Sequence, residues 1–253
     1  MLSGNPPVPD CLPLHRFEEF LPLLDVDRQA ILAMGEAPVE LPRHAMLRRE
    51  GEVPRHVYLL LAGWVASSVL LPGGERQIVK FHLRGDLLGG PSMCLAQAAD
   101  TLTALTPVTV SRVPLPVFGA LFASSPRFAA AMFLSAQRER VALMDRLAAV
   151  GRTAAIARVA ALLLDLDERL GAAGLAKGKG FDLPVTQEHI GDHVGLTAVH
   201  VNRVFRQMVD SGLIARDRQR IVLLDPVRLK GMSARQQRVM ARDNSWLLRE
   251  ATA

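Results

Sequence analysis

The sequence predicts an α+β chain in which a small antiparallel barrel or sandwich, a long helix and a C-terminal helix-turn-helix with a β wing follow one another. Three observations predict it. Short β-rich runs separated by Gly and Pro recur from Leu41 to Val113, at roughly ten-residue spacing. The stretch from Pro126 to Val150 contains no internal Gly or Pro. The segment "VTQEHIGDHVGLTAVHVNRVFRQMVDSGLI" sets two cappable amphipathic runs on either side of a glycine.

Composition bounds what such a chain does. With 253 residues it is long enough for two domains, and 49% apolar against 22% charged residues lets it bury sizeable cores. A net charge of +5 permits an anionic partner without demanding one. The distribution is more telling: from Thr197 to Lys230 there are seven Lys/Arg against three acids, as a phosphate-facing surface requires. Cys11 and Cys94 are far apart and lack a CxxC partner. That excludes a disulfide framework and a four-thiolate zinc or iron–sulfur site built from one chain. The opening "MLSGNPPVPDCLPLHRF" has no basic head and no apolar run, and no uncharged apolar stretch of helical character is long enough for a membrane span. These features read as a cytoplasmic protein without a membrane partner.

Along the chain, a Pro-rich lead gives way to short amphipathic helices at "FEEFLPLL" and "DRQAILAM". Strands are expected at Val57–Leu61, Trp64–Leu71, Gln77–Leu83 and Thr106–Val113. "PGGE" at 72–75 should form a hairpin turn, because glycine accepts positive φ without a Cβ clash. Pro114 and Pro116 mark the change to helix, and Pro126 suits the first turn of the long one. A helix of that length spans about 37 Å, too long for a strut under a small barrel, so it is expected to pair with its twin. The seam would run along Phe133, Gln137, Arg140, Met144 and Leu147, apolar at its ends and polar in the middle. The alternative is an amphipathic helix packed on its own domain. "VGRTA" at 150–154 breaks this helix, a second runs to Leu170, and "GAAGLAKGKG" is a loop. The expected division is therefore 1–125, 126–150 and 151–253.

In the last segment Thr186 caps a first helix with inner residues Ile190 and Val194, and Gly195 supplies the turn. Thr197 caps a second helix whose inner face is Val201, Val204, Phe205 and Met208. Its outer face carries Ala198, Val199, Asn202, Arg203 and Arg206, with His200 beside it. Residues near the start of such a helix reach base edges in the major groove, which makes Val199, Asn202 and Arg203 the base-reading candidates. Thr186, Gln187, Thr197, His200 and Arg206 are candidates for phosphate contact. Arg216, Arg218 and Arg220 on a wing at 213–224 join them.

From about residue 15 to 230 the chain resembles the Crp/Fnr family of bacterial transcription regulators. The likeness rests on "G-x-V", on "PGGERQIVKFHLRGDLLG", on the long helix before "GRTAAIARVAALLLDL", and above all on the helix-turn-helix segment. It implies an N-terminal, jelly-roll-like antiparallel β-roll that binds an effector, a dimerisation helix and a winged helix-turn-helix. Its implied partners are a second copy, double-stranded DNA with a two-fold symmetric operator, and RNA polymerase.

The sequence also departs from the family. Gly90 and Pro91 follow "GDLLG" where cyclic-nucleotide binders place an acid, and no Lys or Arg lies between Gly85 and Ser111. A buried phosphate without a cation is costly, which argues against cyclic AMP. One Cys11 does not replace the cysteine cluster of the oxygen sensors. No histidine lies between His82 and His189, which argues against the haem ligation of the carbon-monoxide sensors. Cys94 reads as a small buried hydrophobe, with thiol sensing as the alternative. His189 and His193 have metal-ligand spacing but lack a third ligand, so packing is expected and no metal or other cofactor is assigned. An effector or redox signal is left unnamed. A phosphate loop, nucleophile elbow and HExxH are all lacking, so no catalysis is expected. A C-terminal domain that binds a protein instead of DNA stays open as the alternative.

Overall fold

The computed structural model describes residues 14–150, 153–176, 180–233, 235, 236, 238 and 244–248. Helices α1 (His15–Glu18) and α2 (Asp25–Ala33) precede β1 (Val39–Leu41), β2 (Met46–Arg48), β3 (His56–Ala62), β4 (Val65–Leu70) and β5 (Arg76–His82). Next come β6 (Leu87–Leu88), β7 (Thr101–Ala104), β8 (Val108–Pro114), α3 (Leu115–Ser124), α4 (Pro126–Val150) and α5 (Ala155–Ala172). The C-terminal elements are β9 (Phe181–Asp182), α6 (Gln187–Val194), α7 (Ala198–Asp210), β10 (Ile214–Asp217), β11 (Arg220–Leu223) and α8 (Pro226–Met232).

The described residues fall into two compact units. One takes the chain up to Val65, His82–Ala136 and the residues after 240; the other takes Ala66–Phe81 and residues 137–240. Grouped by contact, the boundary lies inside α4, and the β4–β5 hairpin goes with the C-terminal elements.

β3 organises the first unit. It pairs antiparallel with β8 (Val57↔Val113, Leu59↔Ser111) and with β6 (Tyr58↔Leu88), in a sheet of order β1-β8-β3-β6. The middle of β3, Val57–Leu61, is a continuous run of large apolar and aromatic side chains because both faces are covered. Val57, Leu59 and Leu61 join Phe17, Ile31, Phe118 and Phe128, whereas Tyr58 and Leu60 join Leu102, Val108 and Val110. β2 pairs with β7, Arg48 lying opposite Leu102. Ser125 caps α4, accepting from the Phe128 amide at 3.1 Å and donating to Asp27 at 2.5 Å. The expected strands are present with ends shifted by one or two residues. The change to helix at Pro114 and Pro116 takes the form of a separate α3 ahead of α4, with Pro116 in its first turn, where the missing N–H costs no hydrogen bond.

In the second unit, the turn at 72–75 closes with Gly74 at φ +90° and the Leu71 amide on the Glu75 carbonyl at 2.8 Å. β10, β11 and β9 form a three-stranded sheet, so the short strand at Phe181 extends the two-stranded wing. α5 buries Val159, Ala160, Leu163 and Leu166 where it packs against α6, α7 and α8.

Candidate nucleic-acid interface

Two threonines and a glycine build the helix pair. Thr186 Oγ1 accepts from the His189 amide at 3.1 Å, and Thr197 Oγ1 accepts from the His200 amide at 3.2 Å. Each supplies one of the acceptors that a helix N-terminus lacks. Gly195 ends α6 with φ +68°, a conformation that a Cβ disfavours. The Arg158 guanidinium donates to the last α6 carbonyl, Val194 O, at 2.8 Å, placing a cation at the negative end of the helix.

α7 then buries Val201, Val204, Phe205 and Met208 and turns the opposite face outward. Val199, Arg203 and Arg206 are exposed on that face, with Asn202 and His200 half-buried beside them. Val199, Asn202, Arg203 and Arg206 follow one another at helical spacing along it. Val199 is 81% exposed, and the first turn of α7 carries no acid. Thr186 and Thr197 are exposed at the helix starts and Gln187 is half-buried. The structure thus brings all the base-reading candidates onto one surface.

The three wing arginines are held differently. Arg218 stands exposed at the β10–β11 turn with φ +50°. Arg216 lies over the Phe205 ring at 4.7 Å, a cation–π contact that ties the wing to α7. Arg220 pairs with Asp182 at 3.4 Å.

The hairpin packs on the far side of α6, which sequence spacing did not reveal. Arg76 pairs with the Asp192 carboxylate at 2.6 Å, and Gln77 Nε2 donates to the Asp192 carbonyl. His193 is buried, with Nδ1 3.1 Å from the Ile78 carbonyl and its ring 4.9 Å from that of Phe81. Arg146 donates to the Val79 carbonyl and Arg169 to the Phe81 carbonyl. Burial, and then Arg146, push the His193 imidazole down to about 3. His189 is buried as well, and its Nδ1 accepts from the Thr186 amide at 3.4 Å. Among the described residues no group of three or more His, Cys, Asp or Glu is placed to hold a metal.

Two expectations for the N-terminal unit need correction. Cys94 is exposed, its Sγ 3.5 Å from the Pro91 carbonyl, because the 3-10 turn at Gly90–Cys94 carries it outward. Cys11 lies outside the described residues. The segment after "GD" is also not without a cation, since β2 delivers Arg48 to it from elsewhere in the chain. Along α4, the seam residues Phe133, Arg140, Met144 and Leu147 are exposed and Gln137 is half-buried. Among the described residues, no single helix is long and apolar enough to cross a membrane.

Comparison with known proteins matches residues 38–125 to the cyclic nucleotide-binding domain and residues 157–232 to the Crp-like helix-turn-helix domain. The nitrogen fixation regulation protein FixK of Bradyrhizobium diazoefficiens is 34% identical over 189 residues, covering 73% of this chain and 77% of that protein. The transcriptional activator protein FnrA of Stutzerimonas stutzeri is 27% identical over 221 residues, 87% of this chain and 86% of FnrA. The structure of FixK2 from Bradyrhizobium japonicum superposes with a TM-score of 0.72 at 27% identity, covering 79% of this chain and 98% of that one.

The depressed His193 value has a testable consequence. The unfolded imidazole takes up a proton near pH 6.5 while the folded one stays neutral until about 3. Stability from this group is therefore complete above pH 6.5 and is lost as pH falls toward 3, at up to about 1.4 kcal/mol per pH unit. Urea unfolding at pH 7 and pH 5 should show that loss in the wild type and a shallower one in His193→Gln. Equal slopes for the two proteins would show that another group dominates.

Proposed function

The chain belongs to the Crp/Fnr family of transcription regulators, and on that premise we propose that α7 reads base edges in the DNA major groove while the wing and the helix starts hold phosphates. The protein is a transcription regulator with a helix-turn-helix DNA-binding domain. The observation that carries the proposed division of labour is the single exposed face of α7, on which Val199, Asn202 and Arg203 precede Arg206. Arg203 offers a planar fork to guanine O6 and N7, and Asn202 an amide to adenine N6 and N7. Val199 has no polar atom to offer and contacts a thymine methyl. Thr186, Gln187, Thr197, His200, Arg206, Arg216, Arg218 and Arg220 take the backbone contacts that set register.

A second copy joins through α4, where Phe133, Met144 and Leu147 are 51%, 57% and 78% exposed. Such a dimer reads a two-fold symmetric operator. RNA polymerase is the further partner, the cytoplasm the location, and no catalytic step is assigned. The controlling signal is one other than cyclic AMP.

Three outcomes test this reading. Arg203→Ala should cost about 1–3 kcal/mol on the specific site and little on random DNA. Equal losses in parallel anisotropy titrations of the two DNAs would contradict base contact. Met144→Glu together with Leu147→Glu places like charges across the α4 seam, and sedimentation should then show monomer; an unchanged dimer would rule out this interface. Val199→Glu introduces an acceptor for cytosine N4 and should move one position of the selected half-site from thymine to cytosine, by about 1–3 kcal/mol. Identical selection profiles for wild type and variant would exclude base reading by residue 199.

A further inference from the structure

The N-terminal unit buries a cation that DNA binding does not use. Arg48 on β2 is 4% exposed. Its Nη2 donates to the Asp100 carboxylate and to Ser92 Oγ at 3.0 Å, and its Nη1 approaches the Gly89 carbonyl at 3.4 Å. Ser92, fully buried, in turn donates to Asp100 Oδ1 at 3.1 Å and accepts from the Ala99 amide at 3.1 Å. Arg48 Nε is buried with no hydrogen-bond partner among the described residues. Gly89 has φ +85°, and a Cβ there would stand 2.8 Å from Arg48 Nη1, so the backbone closes tightly on the guanidinium.

A guanidinium fork beside a buried hydroxyl is a donor set for an oxyanion. Asp100 is the one charged side chain between Asp86 and Arg112, and it occupies that set. We infer that Arg48 and Ser92 form an oxyanion site whose resident ligand is the chain's own Asp100 carboxylate. A tethered ligand competes at a high effective concentration, so a free anion does not displace it. Removing the Asp100 charge leaves Arg48 buried without its counter-charge and opens the site to a small oxyanion of similar reach, for which inorganic phosphate is the probe.

The test uses the full chain, with thermal melts and calorimetric titration in phosphate against chloride of matched ionic strength. Wild type should respond to phosphate no more than to chloride. Asp100→Ala should melt lower, regain stability as phosphate rises by mass action, and give a saturable isotherm. Asp100→Ala combined with Arg48→Met should lose the response. Where Asp100→Ala does not fold in chloride, phosphate should restore its folded circular dichroism, and Asp100→Asn, which keeps the side-chain volume, should show the same anion response. The inference is overturned if wild type binds phosphate as well as the variant does. It is equally overturned if the variants gain nothing from phosphate, or if the double variant still responds.

Discussion

The helix pair depends on the bare backbone that Gly191 presents to the Leu196 carbonyl, because α7 begins two residues beyond it. A Cβ at residue 191 would stand 2.3 Å from that oxygen. The obstacle is backbone, so no rotamer change relieves it. The Leu196 amide returns to the Gly191 carbonyl at 3.0 Å, and the Gly195 φ of +68° reverses the chain between them. Thr197 then caps α7 without an intervening loop. The angle between the helices, and with it the direction of Val199 and Arg203, is set by two missing side chains rather than by any contact those residues make.

The far side of α6 obeys a different constraint. β5 lies at the end of its sheet order, and an end strand exposes carbonyls that need donors. Arg146 and Arg169 serve Val79 and Phe81, and His193 faces the Ile78 carbonyl. Burial first, and then the Arg146 and Arg169 guanidinium groups, oppose a proton on His193, outweighing the opposite pull of the Asp165 carboxylate. The imidazole therefore works there as a neutral donor. Its depressed titration follows from the same packing that holds α6 in place.

What the sequence disclosed follows the range of the forces involved. Caps, the left-handed glycine and the apolar period of the helix pair are local signals, and the two helices with the outward face of α7 were legible from them. The long strands were legible too, because five or more residues show their apolar character. β1, β2, β6 and β7 have two to four residues each, too few for a pattern to emerge. Arg48 escaped notice because its partner carboxylate is 52 residues away, and Arg76 because Asp192 is 116 away. No spacing rule connects such pairs before the chain is folded. Cys94 shows the same limit, because its apolar neighbourhood in sequence is not one in space and the 3-10 turn leaves it exposed.

The basic character of the C-terminal elements is also less uniform in the fold than in the sequence. Arg216 is drawn over Phe205 and Arg220 toward Asp182, while Arg76 is occupied by Asp192 and Glu188. Arg203, Arg206 and Arg218 stay exposed, as does Arg216 in spite of its ring contact. Among them stands Val199, a branched aliphatic side chain turned almost wholly to water. One exposed valine is ordinary on a protein surface, and its exposure alone says nothing. Its place says more, because it opens the outward face of α7, on which the exposed Arg203 and Arg206 follow. Burying its surface gains about 25 cal/mol per Å², and only an apolar partner returns that gain without leaving a donor or acceptor unpaired. In the major-groove contact proposed for α7, a thymine methyl would be that partner, and cytosine N4 the group that valine would leave unanswered.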